Sequence, residues 1–157
     1  NYDLPSALHQ DKFHADLLKL IDYQIVEIKK YQFENFDAPE MIETVIPAPI
    51  LLVEGLFVLD YQPVNNLLDF RIFMDCDLEL CFNRRLLRDV SHRNIPEAKS
   101  RYQWTNHVLP AFEKYIVPYK ENCNMVIENN GEPDSNIEAI IENIKLLAHP
   151  TVISQLP

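Results

Sequence analysis

Glycine is nearly absent from this sequence, because only Gly55 and Gly131 occur among its 157 residues. The phosphate-binding loop G-x-x-x-x-G-K-[ST] needs two closely spaced glycines, so these residues contain no such loop. Cysteine is scarce too. Cys76, Cys81 and Cys123 are odd in number, lack C-x-x-C spacing and lie in or beside apolar segments. They favour reduced core thiols over disulfides or a metal cage.

Long apolar stretches are missing as well. No segment approaches the roughly 18 consecutive apolar residues of a membrane helix, and the opening Asn1-Tyr2-Asp3 does not resemble a signal peptide. Acidic residues outnumber lysine and arginine by 24 to 14, which disfavours binding to nucleic acids or anionic membranes. The composition is typical of one soluble, intracellular globular domain with a small-molecule partner.

Helix and strand patterns alternate along the chain. Apolar spacing predicts four helices, over residues 6–23, about 78–90, 96–119 and 135–148. Asp75 or Asp77 would cap the second helix, which ends at about Val90, and Pro110 and Pro118 would interrupt the third. Apolar runs predict strands over 24–33, 44–46, 50–55, 70–74 and 124–128. This alternation predicts an α/β sandwich with a mainly parallel sheet.

Six of the fourteen lysines and arginines fall between residues 84 and 101. On the predicted helix, one side carries an apolar row and should face the core: Leu78, Phe82, Leu86 and Val90. The adjoining side carries Arg84, Arg85 and Arg88. A cationic helix face on a chain of net charge −10 favours a dedicated anion site. The simpler alternative is a solvent-exposed face on which the arginines pair with Asp89 and Glu97.

Glu54 ends the predicted strand at 50–55, whose sequence ILLVEG is typical of a strand buried on both faces of a parallel sheet. Ligands bind at the C-terminal edge of such sheets, where an acid commonly orients a hydrated magnesium ion. Gly55 would then let the chain turn sharply. An N-cap for the following turn is the alternative role of Glu54. An arginine helix after the next strand favours phosphate chemistry.

Several segments resemble the uridine-cytidine kinase group of P-loop kinases. They are LLVEG, FRIFMDCDLELCFNRRLLRDVSHR and YQWTNHVLPAFEKYIVPYKENCNMVI, and the opening NYDLPSAL is similar to that group's N-[FY]-D-x-P-x-A segment. The resemblance runs in order from Asn1 to about Asn130. It implies a P-loop NTPase-like three-layer sandwich with a mainly parallel sheet and a helical lid at about residues 91–103.

In that family the phosphate loop and the first strand precede the N-[FY]-D motif. We therefore expect residues 1–157 to be the C-terminal portion of a longer, single kinase domain, without its first strand and phosphate loop. A neighbouring strand such as ILLVE would then have unpaired backbone groups and an uncovered apolar face. The 157 residues alone are expected to be inactive.

The resemblance also implies roles for individual residues. Asp3 matches the aspartate that binds the ribose hydroxyls, and Glu54 matches the acid near the magnesium ion, which it would hold through water. Arginines of the helix and lid match residues that reach the nucleoside or its phosphates, and the remaining matches are substrate contacts. The arginines are Arg85, Arg88 and Arg93, and the substrate contacts are Tyr31, Phe33 and Gln103.

Two positions depart from the family pattern. Phe36 stands where the Y-x-F-x-x-H pattern has a histidine that helps to recognise the pyrimidine, and Asn94-Ile95 replaces a lid Gly-Arg. A site that cannot hydrogen-bond a base edge loses discrimination for that base, so we expect a broader or different substrate.

The implied activity is transfer of the γ-phosphoryl group of ATP to a nucleoside 5′-hydroxyl in the cytoplasm, with Mg²⁺ as the second cofactor. Two alternatives stay open. One is a sibling kinase of another ribosyl or sugar alcohol, such as nicotinamide riboside or ribulose phosphate. The other is a noncatalytic nucleotide- or nucleoside-binding relative. Homo-oligomerisation is compatible with each of them.

Overall fold

Six α-helices alternate with four strands in the computed structural model, which describes residues 3–30, 39–131 and 134–147. The helices are α1 (Gln10–Ile21), α2 (Gln62–Asn65), α3 (Leu78–His92), α4 (Glu97–Gln103), α5 (Leu109–Tyr115) and α6 (Asp134–Leu147). The strands are β1 (Val26–Lys29), β2 (Ile42–Val45), β3 (Ile72–Asp75) and β4 (Met125–Glu128). The four strands and the predicted helices lie within a few residues of their expected positions. The exception is the strand predicted at 50–55.

The strands form two small sheets. β1 and β2 pair antiparallel, with Val26 opposite Val45, whereas β3 and β4 pair parallel, with Ile72 opposite Met125. The prediction of an α/β fold is therefore confirmed. The expectation of one mainly parallel sheet is corrected, because within the described residues half of the strands belong to an antiparallel hairpin.

The segment 50–55 is not a strand, so that prediction was wrong. Leu52 is 89% exposed, and Ile50 is 36% exposed. A strand requires a hydrogen-bonded neighbour, and here the segment and the beginning of β3 both line a groove of about 490 Å³ without pairing. Side chains from α1 and α6 complete its wall, among them Leu17, Leu20, Ile140 and Ile144.

The fully enclosed core is small. Its apolar members are Leu17, Val26, Phe57, Val64, Phe73, Ala111 and Ile127. They come from α1, β1, α2, β3, α5, β4 and the turn before α2, so the core joins both sheets to the helices. In the described part of the chain, no helix is long and apolar enough to cross a membrane.

Of the two caps predicted for helix α3, Asp75 and Asp77, the structure has Asp77 as the N-cap residue. The Asp77 carboxylate accepts hydrogen bonds from the backbone N–H groups of Glu79 and Leu80, at 2.8 and 3.1 Å. These bonds satisfy two donors that a helix N-terminus leaves free. β3 therefore leads directly into the helix that carries the arginines.

The chain reverses direction between α3 and α4 through Asn94, whose φ is 51°. Asparagine tolerates this left-handed conformation better than most side chains. The continuation from α4 to α5 includes a π-helical stretch, Trp104–Val108, which ends two residues before Pro110.

Candidate functional site

Three predicted catalytic arginines converge on one carboxylate, that of Asp89. Arg88 Nη2 lies 3.2 Å and Arg93 Nη1 3.6 Å from Asp89 Oδ1, and Arg85 Nε lies 3.2 Å from Oδ2. The hydroxyl of Ser100, on α4, donates a 2.9 Å hydrogen bond to Oδ2. We call this group the Asp89 cluster: Asp89, Ser100, Arg85, Arg88 and Arg93.

The centre of the cluster is completely buried, and its arginines are not. Asp89 and Ser100 have 0% exposure. The side chain of Arg88 is 47% exposed, that of Arg93 33% and that of Arg85 20%. Arg85 and Arg88 alone bring two positive charges to one carboxylate, so the cluster has a surplus of positive charge, and solvent and solutes can reach Arg88.

The pKa of the Asp89 carboxyl lies below its ordinary value. Burial acts in the opposite direction and would raise this pKa, because it penalises the charged form. The hydrogen bonds from Ser100 and Arg88 and the nearby charges of Arg85 and Arg88 outweigh burial. Asp89 is therefore ionised at neutral pH and acts as an internal counter-ion.

This arrangement corrects the predicted faces of α3. Leu78 and Val90, expected in the core, are 46% and 47% exposed, whereas Asp89 is buried. The reason is the position of α4, which packs on the side of α3 that carries Asp89 and Arg85. The alternative of a solvent-exposed helix face was correct that the arginines pair with Asp89. It was wrong about exposure, because Asp89 is buried.

Gln103 joins the cluster at its edge. Arg85 Nη2 lies 3.4 Å from Gln103 Oε1, a long hydrogen bond. Arg85 Nε is buried and, although close to Asp89, is not aligned for a hydrogen bond. Arg85 is thus held by charge and by Gln103, so two predicted site residues from α3 and α4 are brought together.

The other cationic residues of the segment have different partners. Arg84 Nη1 donates a 2.8 Å hydrogen bond to the carbonyl oxygen of Asn129, at the turn after β4. Arg101 pairs with Glu97 at 2.7 Å and lies over the ring of Phe82. The arginine concentration seen in the sequence therefore divides into one cluster and two separate structural contacts.

Glu54 is exposed and lines a mainly apolar cavity of about 370 Å³. The wall of this cavity comes from residues 8–13 and 54–64, including Phe13 and Tyr61, and the three arginines do not contribute to it. The chain turns over residues 56–60, with the Val58 N–H 3.5 Å from the Gly55 carbonyl oxygen, but Gly55 does not have a positive φ, so this turn does not depend on the conformational freedom of glycine. A Cβ at Gly55 would approach Val58 Cγ2 to 3.0 Å, so a larger residue there would require the Val58 side chain to shift by a few tenths of an ångström.

The predicted substrate residues other than Gln103 lie in the N-terminal part of the chain. Asp3 is half-buried. Tyr31, Phe33 and Phe36 lie outside the described residues. Among the described residues there is no group of three or more His, Cys, Asp or Glu side chains that could hold a metal ion by themselves. The three cysteines are unbridged and half-buried.

The sequence reasoning missed two members of the cluster as site residues, Asp89 and Ser100. Asp89 was assigned only as a surface partner, although it lies four residues after Arg85 and four before Arg93. That spacing places all three residues along one row of a helix and is the signal that could have identified the carboxylate as their shared partner. Ser100 carried no comparable signal, because its role depends on how α4 packs.

Comparison with known proteins gives consistent matches over most of the chain. Residues 1–136 match the family described as Phosphoribulokinase / Uridine kinase family. The chain is 33% identical over 147 residues to a uridine kinase of Clostridium botulinum (strain Kyoto / Type A2), which covers 94% of this chain and 71% of that protein. It is 29% identical to a uridine kinase of Leuconostoc citreum (strain KM20), over 94% of this chain and 70% of that protein. It is also 30% identical to uridine kinase-like protein 5 of Arabidopsis thaliana, over 92% of this chain and 31% of that protein.

Proposed function

The chain belongs to the phosphoribulokinase/uridine kinase family, and we propose that it acts as a nucleoside kinase, which transfers the γ-phosphoryl group of ATP to a nucleoside 5′-hydroxyl. Its similarity to proteins named uridine kinase supports this proposal. The observation that supports it most strongly is the convergence of Arg85, Arg88 and Arg93 at one place on an otherwise acidic chain.

Phosphoryl transfer depends on cations placed around the transferring group, because little covalent chemistry is left to the protein. The Asp89 cluster offers such cations. Guanidinium groups bind phosphate oxygens in a bidentate manner, and Arg88 is half-exposed while it is held from behind by Asp89. We assign Arg85, Arg88 and Arg93 to contacts with substrate or phosphate groups.

Glu54 fits a role beside Mg²⁺. It is an exposed carboxylate, and Mg²⁺ in nucleotide enzymes is typically held by one or two carboxylates, several waters and substrate phosphates. The absence of a three-ligand protein cage among the described residues agrees with that mode of binding. When bound, Mg²⁺ neutralises charge on the phosphate oxygens. Glu54 would orient the hydrated ion.

Substrate contacts are assigned to the residues that match the family pattern. Asp3 would bind the ribose hydroxyls, and Gln103, next to Arg85, would contact the substrate from α4. Tyr31 and Phe33 would contact the base. The segment 91–103 would act as a lid, because it contains the turn at Asn94 and carries both Arg93 and Gln103.

We further propose that a segment outside residues 1–157 supplies the phosphate loop and an additional strand. The two glycines of the chain cannot form that loop. The groove between 50–53 and β3 is apolar and open, and Leu52 is 89% exposed beside it. A strand inserted there would pair with both neighbours and cover this apolar surface, which would produce the expected three-layer sandwich.

Two sequence departures favour a second candidate, a kinase of another ribosyl or sugar alcohol. Phe36 cannot make the base hydrogen bond of the family histidine, and Ile95 removes one lid cation. Both changes affect substrate recognition, whereas Glu54 and the three arginines of the cluster are retained. A noncatalytic binding role would leave these charged residues without a chemical task.

The full-length natural protein that contains residues 1–157 tests the proposal. ATP consumption and product mass are measured with a panel of nucleosides, nicotinamide riboside and ribulose 5-phosphate. We expect a phosphorylated nucleoside that depends on Mg²⁺. Phosphorylation of a different ribosyl alcohol would support the second candidate, and binding without turnover of any compound would support the noncatalytic one.

A further inference from the structure

Asp89 and Ser100 are the buried polar side chains among the described residues, and neither has been given a role in the proposed reaction. We propose that Asp89 is a positioning residue that orients Arg85, Arg88 and Arg93 toward a bound phosphate group without touching it. This inference rests on the proposed kinase function. Its basis is the geometry of the cluster.

The two oxygens of Asp89 have different partners. Oδ1 faces Arg88 and Arg93, and Oδ2 faces Arg85 and accepts the hydrogen bond from Ser100. Ser100 therefore fixes the plane of the carboxylate from the second helix. With that plane fixed, Arg88 donates to Oδ1, Arg85 and Arg93 are held near the carboxylate by charge, and the side chain of Arg88 stays 47% exposed.

Helix geometry explains why such an acceptor is needed. Residues 85 and 93 are separated by about 12 Å along the helix axis, and Arg88 lies on the adjoining side of α3. Three like charges on long, flexible side chains repel one another and would spread apart. A carboxylate midway between Arg85 and Arg93 draws them together.

Stability alone does not account for a buried carboxylate at this place. Burial of an ionised group is costly, and a well-packed apolar side chain is often at least as stabilising as a buried ion pair. Arg85 and Arg88 alone place two positive charges against the one negative charge of Asp89, which is unfavourable unless an anion completes the cluster. A phosphate group would supply that missing negative charge.

Asp89 also joins the arginines to the proposed lid. Its backbone carbonyl accepts a 2.9 Å hydrogen bond from the N–H of Ile95, and its side chain binds Ser100 on α4. Arg85 in turn contacts Gln103, three residues beyond Ser100. The direction of the arginines and the position of α4 are thus set by the same residue.

Pyrophosphate binding to the full-length protein tests this role, with isothermal titration calorimetry at constant ionic strength. Asp89→Asn removes a negative charge beside three cations, so Coulomb attraction alone predicts tighter binding. If Asp89 positions the arginines, the opposite should happen. We expect Asp89→Asn to bind pyrophosphate about tenfold more weakly, because the arginines lose the carboxylate that they share. Equal or tighter binding by folded Asp89→Asn overturns the proposal, as does a wild-type protein that does not bind pyrophosphate.

Two further variants make the result specific. Ser100→Ala keeps the charge of Asp89 and removes the hydroxyl that fixes it, and we expect about threefold weaker binding. This variant decides the question if Asp89→Asn does not fold, because unchanged binding by Ser100→Ala then overturns the proposal. The matched control is Glu40→Gln, which removes the same charge from an exposed pair with Lys29 outside the proposed lid and should leave binding within about twofold of wild type.

Kinetics separate this inference from the proposed function. If the wild-type protein phosphorylates none of the tested compounds, the proposed function fails, while pyrophosphate binding still decides the role of Asp89. If the wild-type protein is active, we expect Asp89→Asn to lower kcat about tenfold per folded molecule and Glu40→Gln to retain it. Unchanged kcat and KM in folded Asp89→Asn would again contradict a positioning role.

Discussion

The hydroxyl of Ser100 donates a 2.9 Å hydrogen bond to a carboxylate oxygen of Asp89, and both side chains are completely buried. This bond joins α3 to α4 at the point where three arginines meet. A segment that appears in the sequence as a concentration of positive charge is thereby organised around one negative group.

Replacement of Arg88 should affect turnover more than folding. Arg88→Ala removes the most exposed guanidinium group of the cluster, and we expect kcat of the full-length protein to fall by on the order of 10² through lost charge stabilisation. Steady-state kinetics with the best nucleoside measure this effect. Arg101→Ala, which removes an arginine paired with Glu97, is the control and should retain near-normal kcat. Normal turnover by Arg88→Ala would refute its proposed role.

Asp89 should make stability depend on pH on the acid side. Its pKa in the folded protein is lower than the ordinary value, so it stabilises the fold fully above about pH 4 and loses this contribution as the pH falls through the folded pKa. We expect Asp89→Asn to lower the free energy of unfolding by about 3 kcal/mol at pH 7. Urea denaturation should show this difference shrinking below pH 4. A difference that is constant from pH 7 to pH 3 would contradict the prediction.

Cys81 should be chemically inert in the folded protein. Burial, followed by a hydrogen bond with Cys76, raises the pKa of the Cys81 thiol to about 11. Since an ordinary cysteine has a pKa of about 8.5, Cys81 should hold about two orders of magnitude less thiolate at pH 8. Iodoacetamide labelling followed by peptide mass spectrometry should show slow modification in buffer and fast modification in urea. Equal rates under both conditions would rule this out.

Asn94 should tolerate glycine but not a branched side chain. Its φ of 51° lies in the left-handed region, which glycine adopts freely and valine strongly disfavours. We expect Asn94→Gly to change the free energy of unfolding by less than about 0.5 kcal/mol, and Asn94→Val to lower it by about 1–2 kcal/mol. Denaturant titration of both variants provides a matched comparison. A neutral Asn94→Val would mean that this turn does not hold the positive φ.

Leu52 tests whether another segment fills the apolar groove. Because 89% of the Leu52 surface is exposed, Leu52→Ser should change the free energy of unfolding of residues 1–157 by less than about 0.5 kcal/mol. In the full-length protein, a strand inserted beside it would bury the side chain, and the same substitution should then cost about 2 kcal/mol or more. Thermal and urea unfolding of both forms measure the difference. Equal, small effects would exclude insertion next to Leu52.

Local sequence signals predicted most of the helices and strands, because they depend on spacing and capping between nearby residues. The helix predicted from a cap at Asp75 or Asp77 to about Val90 and the strand predicted at 70–74 correspond to α3 and β3 within about two residues. The run at 50–55 looked equally convincing, yet it is not a strand in the structure. Its apolar composition describes what the segment can bury, whereas strand formation requires a partner that supplies hydrogen bonds.

For the candidate site too, some features follow from the sequence and others only from the tertiary structure. The sequence by itself determined the family, the acidic net charge with a local arginine concentration, and the absence of a glycine-rich phosphate loop from residues 1–157, since each depends only on residue identity and order. Only the tertiary structure decided that Arg85, Arg88 and Arg93 face the buried carboxylate of Asp89. That outcome depends on α4 packing against α3, and the energy of a buried charge is set by its neighbours in space, whatever their distance along the chain.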